Sequence, residues 1–213
     1  KQKTAYEIPK RDWSSDVCSS DLENVKALLL EVRQTVRGPE IQLTRTHKNF
    51  VKKLFEIEVP ELLDGTVEIT GIAREPGNRT KLMVASRQPG LDPVGAVIGQ
   101  RGARVQAIVE DLGGEKIDII AHTDDPAEMI GRALAPAPVL LVTVDEATTS
   151  AVVVVPERAL SLAIGAGGQN ARLAARLTGY RIDIKSDNPN PGTQSDDATS
   201  ETTEGVAVTE PEA

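Results

Sequence analysis

Ile98-Gly99-Gln100-Arg101-Gly102 and Ile164-Gly165-Ala166-Gly167-Gly168 carry one Ile-Gly-x-x-Gly pattern twice, 66 residues apart. A second match, Gly114-Glu115-Lys116-Ile117-Asp118-Ile119 with Gly179-Tyr180-Arg181-Ile182-Asp183-Ile184, follows at an offset of 65. The chain therefore holds two copies of one unit, which differ by a single residue inside the second helix or its exit. Working outward from the first loop, Asp92-Pro93 opens a short helix that runs into the glycine turn. Val105, Ile108, Val109 and Leu112, at i, i+3, i+4 and i+7, define the helix after it, and Lys116–Ile120 reads as a strand. Upstream, strands near Thr66–Ala73 and Lys81–Ser86 flank the turn-prone Glu75-Pro76-Gly77-Asn78. Before them, a helix capped by Thr44 runs to Glu56 with Phe50, Val51, Leu54 and Phe55 on one face. The order is α-β-β-α-α-β.

The same order returns downstream. Thr123-Asp124-Asp125-Pro126 opens a helix to about Leu134, and strands Val139–Val144 and Ala151–Val155 follow. A short helix after Pro156 reaches Gly165, a helix carries Leu173 and Leu177, and a strand covers Tyr180–Ile184.

Glycines between two helices let a ligand's backbone come against the protein backbone with no Cβ in the way. The helix after the turn offers free N–H groups and a positive dipole end, which suit phosphate oxygens. Arg101, Arg104 and Lys116 in the first copy, and Arg172, Arg176, Arg181 and Lys185 in the second, supply nearby charge. Such a unit resembles the KH domain, which clamps four backbone nucleotides with a GxxG loop. The RNA-binding set expected from this reading is Gly99, Gln100, Arg101, Gly102 and Arg104, with Gly165, Ala166, Gly167, Gly168, Gln169, Asn170 and Arg172. Asp118 and Asp183 occupy matching strand positions between apolar neighbours and read as solvent-facing.

Composition narrows the alternatives. Aromatic residues make up 2% of the chain, too few for a base-stacking platform. The net charge of −8 argues against phosphate binding until its distribution is seen: seven carboxylates and no Lys or Arg follow Lys185, so the first 185 residues sum to −1. One cysteine, Cys18, excludes an internal disulfide framework, and His47 and His122 do not assemble a metal site. No cofactor is expected. A dinucleotide site is the rival reading, because Gly165-Ala166-Gly167-Gly168 follows Val152–Val155 and Asp183 lies about 18 residues on. Against it, Asn170 falls where the last glycine belongs, Pro156–Ala163 separates strand from loop, and the first copy has no G-x-G. No Ser/His/Asp, Cys/His or paired-carboxylate arrangement stands out, so an enzyme is not expected. No run of 18 apolar residues or signal-like start is present, and a cytoplasmic monomer without membrane contact is expected.

The organisation expected is α+β: residues 1–43 the leftover of a β-domain, 44–121 and 122–185 two tandem KH domains, and 186–213 a disordered acidic tail. Strand-turn-strand patterning around Arg37-Gly38-Pro39 supplies the β-domain leftover. Within residues 11–22 Ser-Ser-Asp occurs twice, and the patch resembles translated sequencing-adapter DNA, so Trp13 and Cys18 support no functional argument. The short connection His122–Asp125 predicts a rigid tandem with both grooves on one surface.

Four stretches carry a family resemblance: Arg45-Thr46-His47, Phe55-Glu56-Ile57-Glu58-Val59-Pro60-Glu61, Gly71-Ile72-Ala73-Arg74-Glu75-Pro76-Gly77 and Gly168-Gln169-Asn170-Ala171-Arg172-Leu173-Ala174. Over about residues 25–185 the chain resembles the C-terminal part of the NusA transcription termination/antitermination family, in an actinobacterial-like form. That resemblance implies an OB-fold barrel, of which residues 1–43 would be a truncated remnant, before two type II KH domains, single-stranded nascent RNA as partner, and modulation of pausing, termination and antitermination. It also implies an RNA polymerase contact made through a preceding domain that these residues do not include. Family members often carry a lysine after the first glycine of the second loop, where this chain has Ala166. The competing expectation is a KH-like protein-interaction scaffold that binds no RNA.

Overall fold

The computed structural model describes residues 5–10 and 23–188. Segment 11–22 and the acidic tail beyond residue 188 lie outside the described residues. Near the N-terminus β1 (Ala5–Lys10), β2 (Glu23–Thr35) and β3 (Gly38–Thr44) form an antiparallel sheet in that order, with a bulge in β2 between Leu29 and Glu31. Thr44 closes β3, so it does not cap the next helix as expected. His47 does, its Nδ1 accepting from the Asn49 amide at 3.1 Å.

The first module then runs α1 (Lys48–Glu58), a four-residue helix α2 (Pro60–Leu63), β4 (Val67–Glu75), β5 (Arg79–Ser86), α3 (Pro93–Ile98), α4 (Ala103–Asp111) and β6 (Lys116–Ala121). Strand β5 is central, antiparallel to β4 and parallel to β6. A parallel neighbour requires a crossover, and α3, the glycine loop and α4 are that crossover. The apolar stripe of α1 places Phe50, Val51, Leu54 and Phe55 against Val67, Leu82, Val84, Val97, Ile108 and Leu112, and Leu28 of β2 joins this core. Both phenylalanines of the chain are fully buried there, which removes them as base-stacking surfaces.

The second module repeats the plan with α5 (Pro126–Ala133), β7 (Leu141–Asp145), β8 (Ser150–Val155), α6 (Leu160–Ile164), α7 (Gln169–Thr178) and β9 (Arg181–Ser186). Strand β8 is antiparallel to β7 and parallel to β9. Asp92 and Asp125 cap α3 and α5 ahead of a proline at the first helical position, as their sequence pattern predicts. The extra residue of the first copy lies in the exit: α4 is one residue shorter than α7, and Gly113 and Gly114, both at positive φ, do the turning that Gly179 does alone in the second copy.

The modules are joined through their cores. Helix α7 packs across β4 and β5, close enough that a Cβ on Gly71 would lie 3.1 Å from Leu177 Cδ1. Ile120 of β6 belongs to the core of the second module. Lys81 is fully buried at the seam and donates to the Ala135 carbonyl at 2.8 Å and to Asp118 at 3.1 Å. Burial holds the Lys81 ammonium below the usual lysine range, with Asp118 opposing the shift. Asp118 departs from the solvent-facing reading. It is ion-paired to both Arg79 and Lys81, across the strand register that sets Lys81 beside Asp118. Asp183, its counterpart, is solvent-facing as expected.

Candidate nucleic-acid interface

The two glycine loops share one backbone path despite different side chains. Gly99 and Gly165 adopt φ 75°, ψ 177° and φ 77°, ψ 170°, a region open almost only to glycine. Arg101 and Gly167 take left-handed angles of φ 53°, ψ 24° and φ 57°, ψ 26°. Gly102 and Gly168 follow at φ 78°, ψ 12° and φ 74°, ψ 15°. The glycines therefore divide in role, which the sequence did not distinguish. A Cβ on Gly165 would stand 2.8 Å from the Asn170 backbone nitrogen, and one on Gly99 would stand 2.7 Å from Arg104 Cγ. The first glycine of each loop is thus required by the protein's own backbone and packing. A Cβ on Gly102 would meet nothing within 4 Å and one on Gly168 only Arg172 Nη1 at 3.9 Å, so the last glycine is the one that leaves an approach open.

Behind each loop a helix begins without a side-chain cap and without an acidic residue in its first turn. No side chain competes for the first N–H groups of α4 and α7, although those of Ala103 and Gln169 donate to the Gln100 and Ala166 carbonyls within the loops, and the partial positive end of each helix faces its loop. Gln100 and Arg101 are exposed, and Arg101 has no side-chain partner among the described residues. Arg104 is engaged: its Nη1 reaches Glu61 at 2.9 Å and the Ala96 carbonyl, tying α2, α3 and α4 together.

In the second loop Ala166 and Gly167 are exposed and bring no charge. Arg172 donates to Gly167 O at 3.0 Å and to Glu75 at 2.6 Å, so its cation is shared with a carboxylate of the first module. Gln169 donates to the same carboxylate at 2.9 Å, and Arg176 approaches it at 3.7 Å. The Arg172 and Gln169 hydrogen bonds hold the Glu75 carboxyl below its ordinary range against a small opposing effect of burial. Asn170 is 4% exposed and donates to the Leu134 and Ala163 carbonyls. It anchors α7 to the module's interior.

Sequence reasoning missed two groups. Glu115 is fully buried, accepts from Arg74 through two 2.9 Å bonds, from Thr80 Oγ1 and from the Gly77 amide, and pins the β4–β5 turn to the exit of α4. Glu75 is the cross-module clamp. Both lie in stretches that the repeat and the resemblance single out, but nothing local in them marks either glutamate as an ion-pairing residue. Between the modules lies a cavity of about 500 Å³, walled by the β4–β5 turn and the start of β6 on one side and by α6, the second loop and the start of α7 on the other. Among the described residues no cluster of His, Cys, Asp and Glu could hold a metal ion, and no helix is long and apolar enough to cross a membrane.

Two α-β-β-α-α-β modules, each with a Gly-x-x-Gly turn feeding an uncapped helix, define a tandem KH-domain protein. The family model described as NusA-like first KH domain matches residues 45–122, and that described as NusA-like second KH domain matches residues 126–190. The chain is 52% identical over 165 residues to the transcription termination/antitermination protein NusA of Halalkalibacterium halodurans, covering 78% of this chain and 43% of that protein. Against the NusA of Mycobacterium tuberculosis it is 53% identical over 168 residues, covering 78% and 48%. For Thermus thermophilus NusA the figures are 46% over 160 residues, 75% and 41%. The chain belongs to the NusA family, and it spans less than half the length of these relatives.

Proposed function

We propose that this chain is a non-catalytic RNA-binding segment of a transcription termination/antitermination factor, holding single-stranded RNA at its two GxxG loops. The observation that carries this reading is the duplicated loop with its open last glycine, ahead of a helix whose start has no side-chain cap and no acidic residue in its first turn. A backbone phosphate is the ligand that suits such a site, since it needs close approach and N–H donors rather than side-chain shape. Polymerase contact and an effect on pausing belong to the longer relatives and extend to this chain as part of the same proposal.

Replacing Gln100 and Arg101 with Asp, and separately Ala166 and Gly167 with Asp, tests it. Each pair sits on exposed loop positions, so folding is expected to survive while affinity for an unstructured RNA falls by about tenfold or more. The unaltered chain should lose affinity with added salt at a log–log slope of about −0.7 per phosphate neutralised. Unchanged affinity in both folded variants would favour the scaffold reading in which the modules bind protein only.

Arg101 gives a sharper outcome. A non-glycine residue in the left-handed region costs about 1 kcal/mol, which a glycine would largely relieve. Arg101→Gly is expected to leave stability unchanged or raise it slightly, by up to about 0.5 kcal/mol after glycine's larger unfolded-state entropy is allowed for. RNA affinity should fall in the same variant. Urea midpoint and fluorescence anisotropy, read side by side, check the divergence.

A further inference from the structure

The second loop has the backbone of a phosphate site and no cation of its own. Ala166, the exposed counterpart of Gln100, brings no charge, and Arg172 is held by Glu75 of the first module. The inter-module cavity offers a replacement. Asn78 and Lys116 of the first module line it together with Ser161, Gly165, Ala166 and Asn170 of the second. Lys116 is exposed at the start of β6, and among the described residues its ammonium has no ion-pair partner. Arg79, which also lines the cavity, is committed to Asp118 through bonds of 2.7 and 2.9 Å.

A second observation marks the same wall. Asn170 Oδ1 is the buried side-chain acceptor that finds no donor among the described residues, although the amide nitrogen of that side chain is well satisfied. Buried polar atoms are normally paired, so the wall of the cavity encloses an acceptor that the protein itself leaves unsatisfied.

We infer that Lys116 of the first module completes the phosphate site of the second, so that the Gly165–Gly168 loop is a two-module site whose cation is supplied across the seam. The ligand is one phosphodiester of a single-stranded RNA. This rests on the RNA reading above and deepens it. It also explains how a loop with only alanine and glycine in it can serve as the partner of one that carries Arg101.

The test uses the full chain and a labelled, unstructured RNA of mixed sequence, about 12 nucleotides long so that two four-nucleotide clamps fit. Lys116→Ala is expected to weaken binding about fivefold and to reduce the salt slope by about 0.7, one phosphate's share. The loss should remain in full when Gln100 and Arg101 are changed to Asp. It should vanish when Ala166 and Gly167 are changed to Asp, because the site that Lys116 serves is then already closed. Ala166→Lys should restore affinity to Lys116→Ala by putting the cation back on the loop. A loss of equal size in both backgrounds, no loss at all, or no rescue by Ala166→Lys would overturn the assignment. Failure of the RNA reading itself looks different: neither pair of loop substitutions would then change binding.

Discussion

Glu115→Ala is expected to remove about 3–5 kcal/mol of folding stability, a large part of what a domain of this size possesses. The side chains of Glu115 and Arg74 are 0% and 5% exposed, so deleting the carboxylate leaves a guanidinium buried without its partner. Thr80, itself fully buried, and the Gly77 amide lose their acceptor at the same time. Arg74 would keep only the His47 carbonyl and its position 5.9 Å from the Phe50 ring. Burial raises the Glu115 carboxyl, but bonds from Arg74, Thr80 and the Gly77 amide outweigh it and leave the group below its ordinary range. A carboxyl depressed in the folded state contributes stability above its unfolded pKa and loses it as pH falls through the folded one. The gap between wild type and Glu115→Ala should therefore be full at neutral pH and narrow in acid. Urea unfolding at several pH values reads it. A loss under about 1 kcal/mol at neutral pH, the size of an exposed pair such as Arg87–Glu68, would show that the buried pair is not what holds the β4–β5 turn.

Gly165→Ala is expected to cost about 3 kcal/mol, while Gly168→Ala three residues away costs about 1. At Gly165 the angles are those of the glycine-only region, and the new Cβ would press on the backbone nitrogen and Cβ of Asn170, which is held in place by its carbonyl partners. Nothing there is the far end of a flexible chain. At Gly168 the angle is left-handed but the space is open apart from Arg172 Nη1 at 3.9 Å, so only the backbone term remains. Equal losses at the two positions would contradict the division of roles between the glycines. Denaturant midpoints at matched slopes make the comparison.

Much of the fold was readable because local and global signals agree in it. Asp92-Pro93 and Asp125-Pro126 combine a capping side chain with a proline that fits only the first helical turn, and both open helices where expected. The repeated glycine loop and Ile-Asp-Ile strand placed the crossover helices of both modules. Where the reading failed, a tertiary partner decided. Thr44 looks like a cap, yet strand pairing with Leu28 extends β3 through it and leaves His47 to cap α1. Asp118 alternates like a surface residue, but the parallel register brings Lys81 and Arg79 to it from β5. Helix α2 and strand β1 were not anticipated; the first is a single turn after Pro60.

For the candidate site, sequence named the loops but not the state of their arginines. Arg101, Arg104 and Arg172 look alike on paper. In the structure Arg101 alone of the three has no side-chain partner, whereas Arg104 binds Glu61 at a separation of 43 residues and Arg172 binds Glu75 at 97. Pairing over such distances follows from how the modules dock, and no local pattern encodes it.

The docking has a consequence for any ligand that reaches both loops. Lys81, Glu75 and Ile120 fix the orientation of one module against the other during folding, so the freedom of a linker is not left to be lost on binding. Engagement of the second loop then becomes an intramolecular event, whose effective concentration depends on the stiffness of the ligand and not on that of the protein. On the proposed RNA reading the seam acts as a ruler: strands long enough to span it are expected to gain avidity, and shorter ones to fall back to the affinity of a single loop.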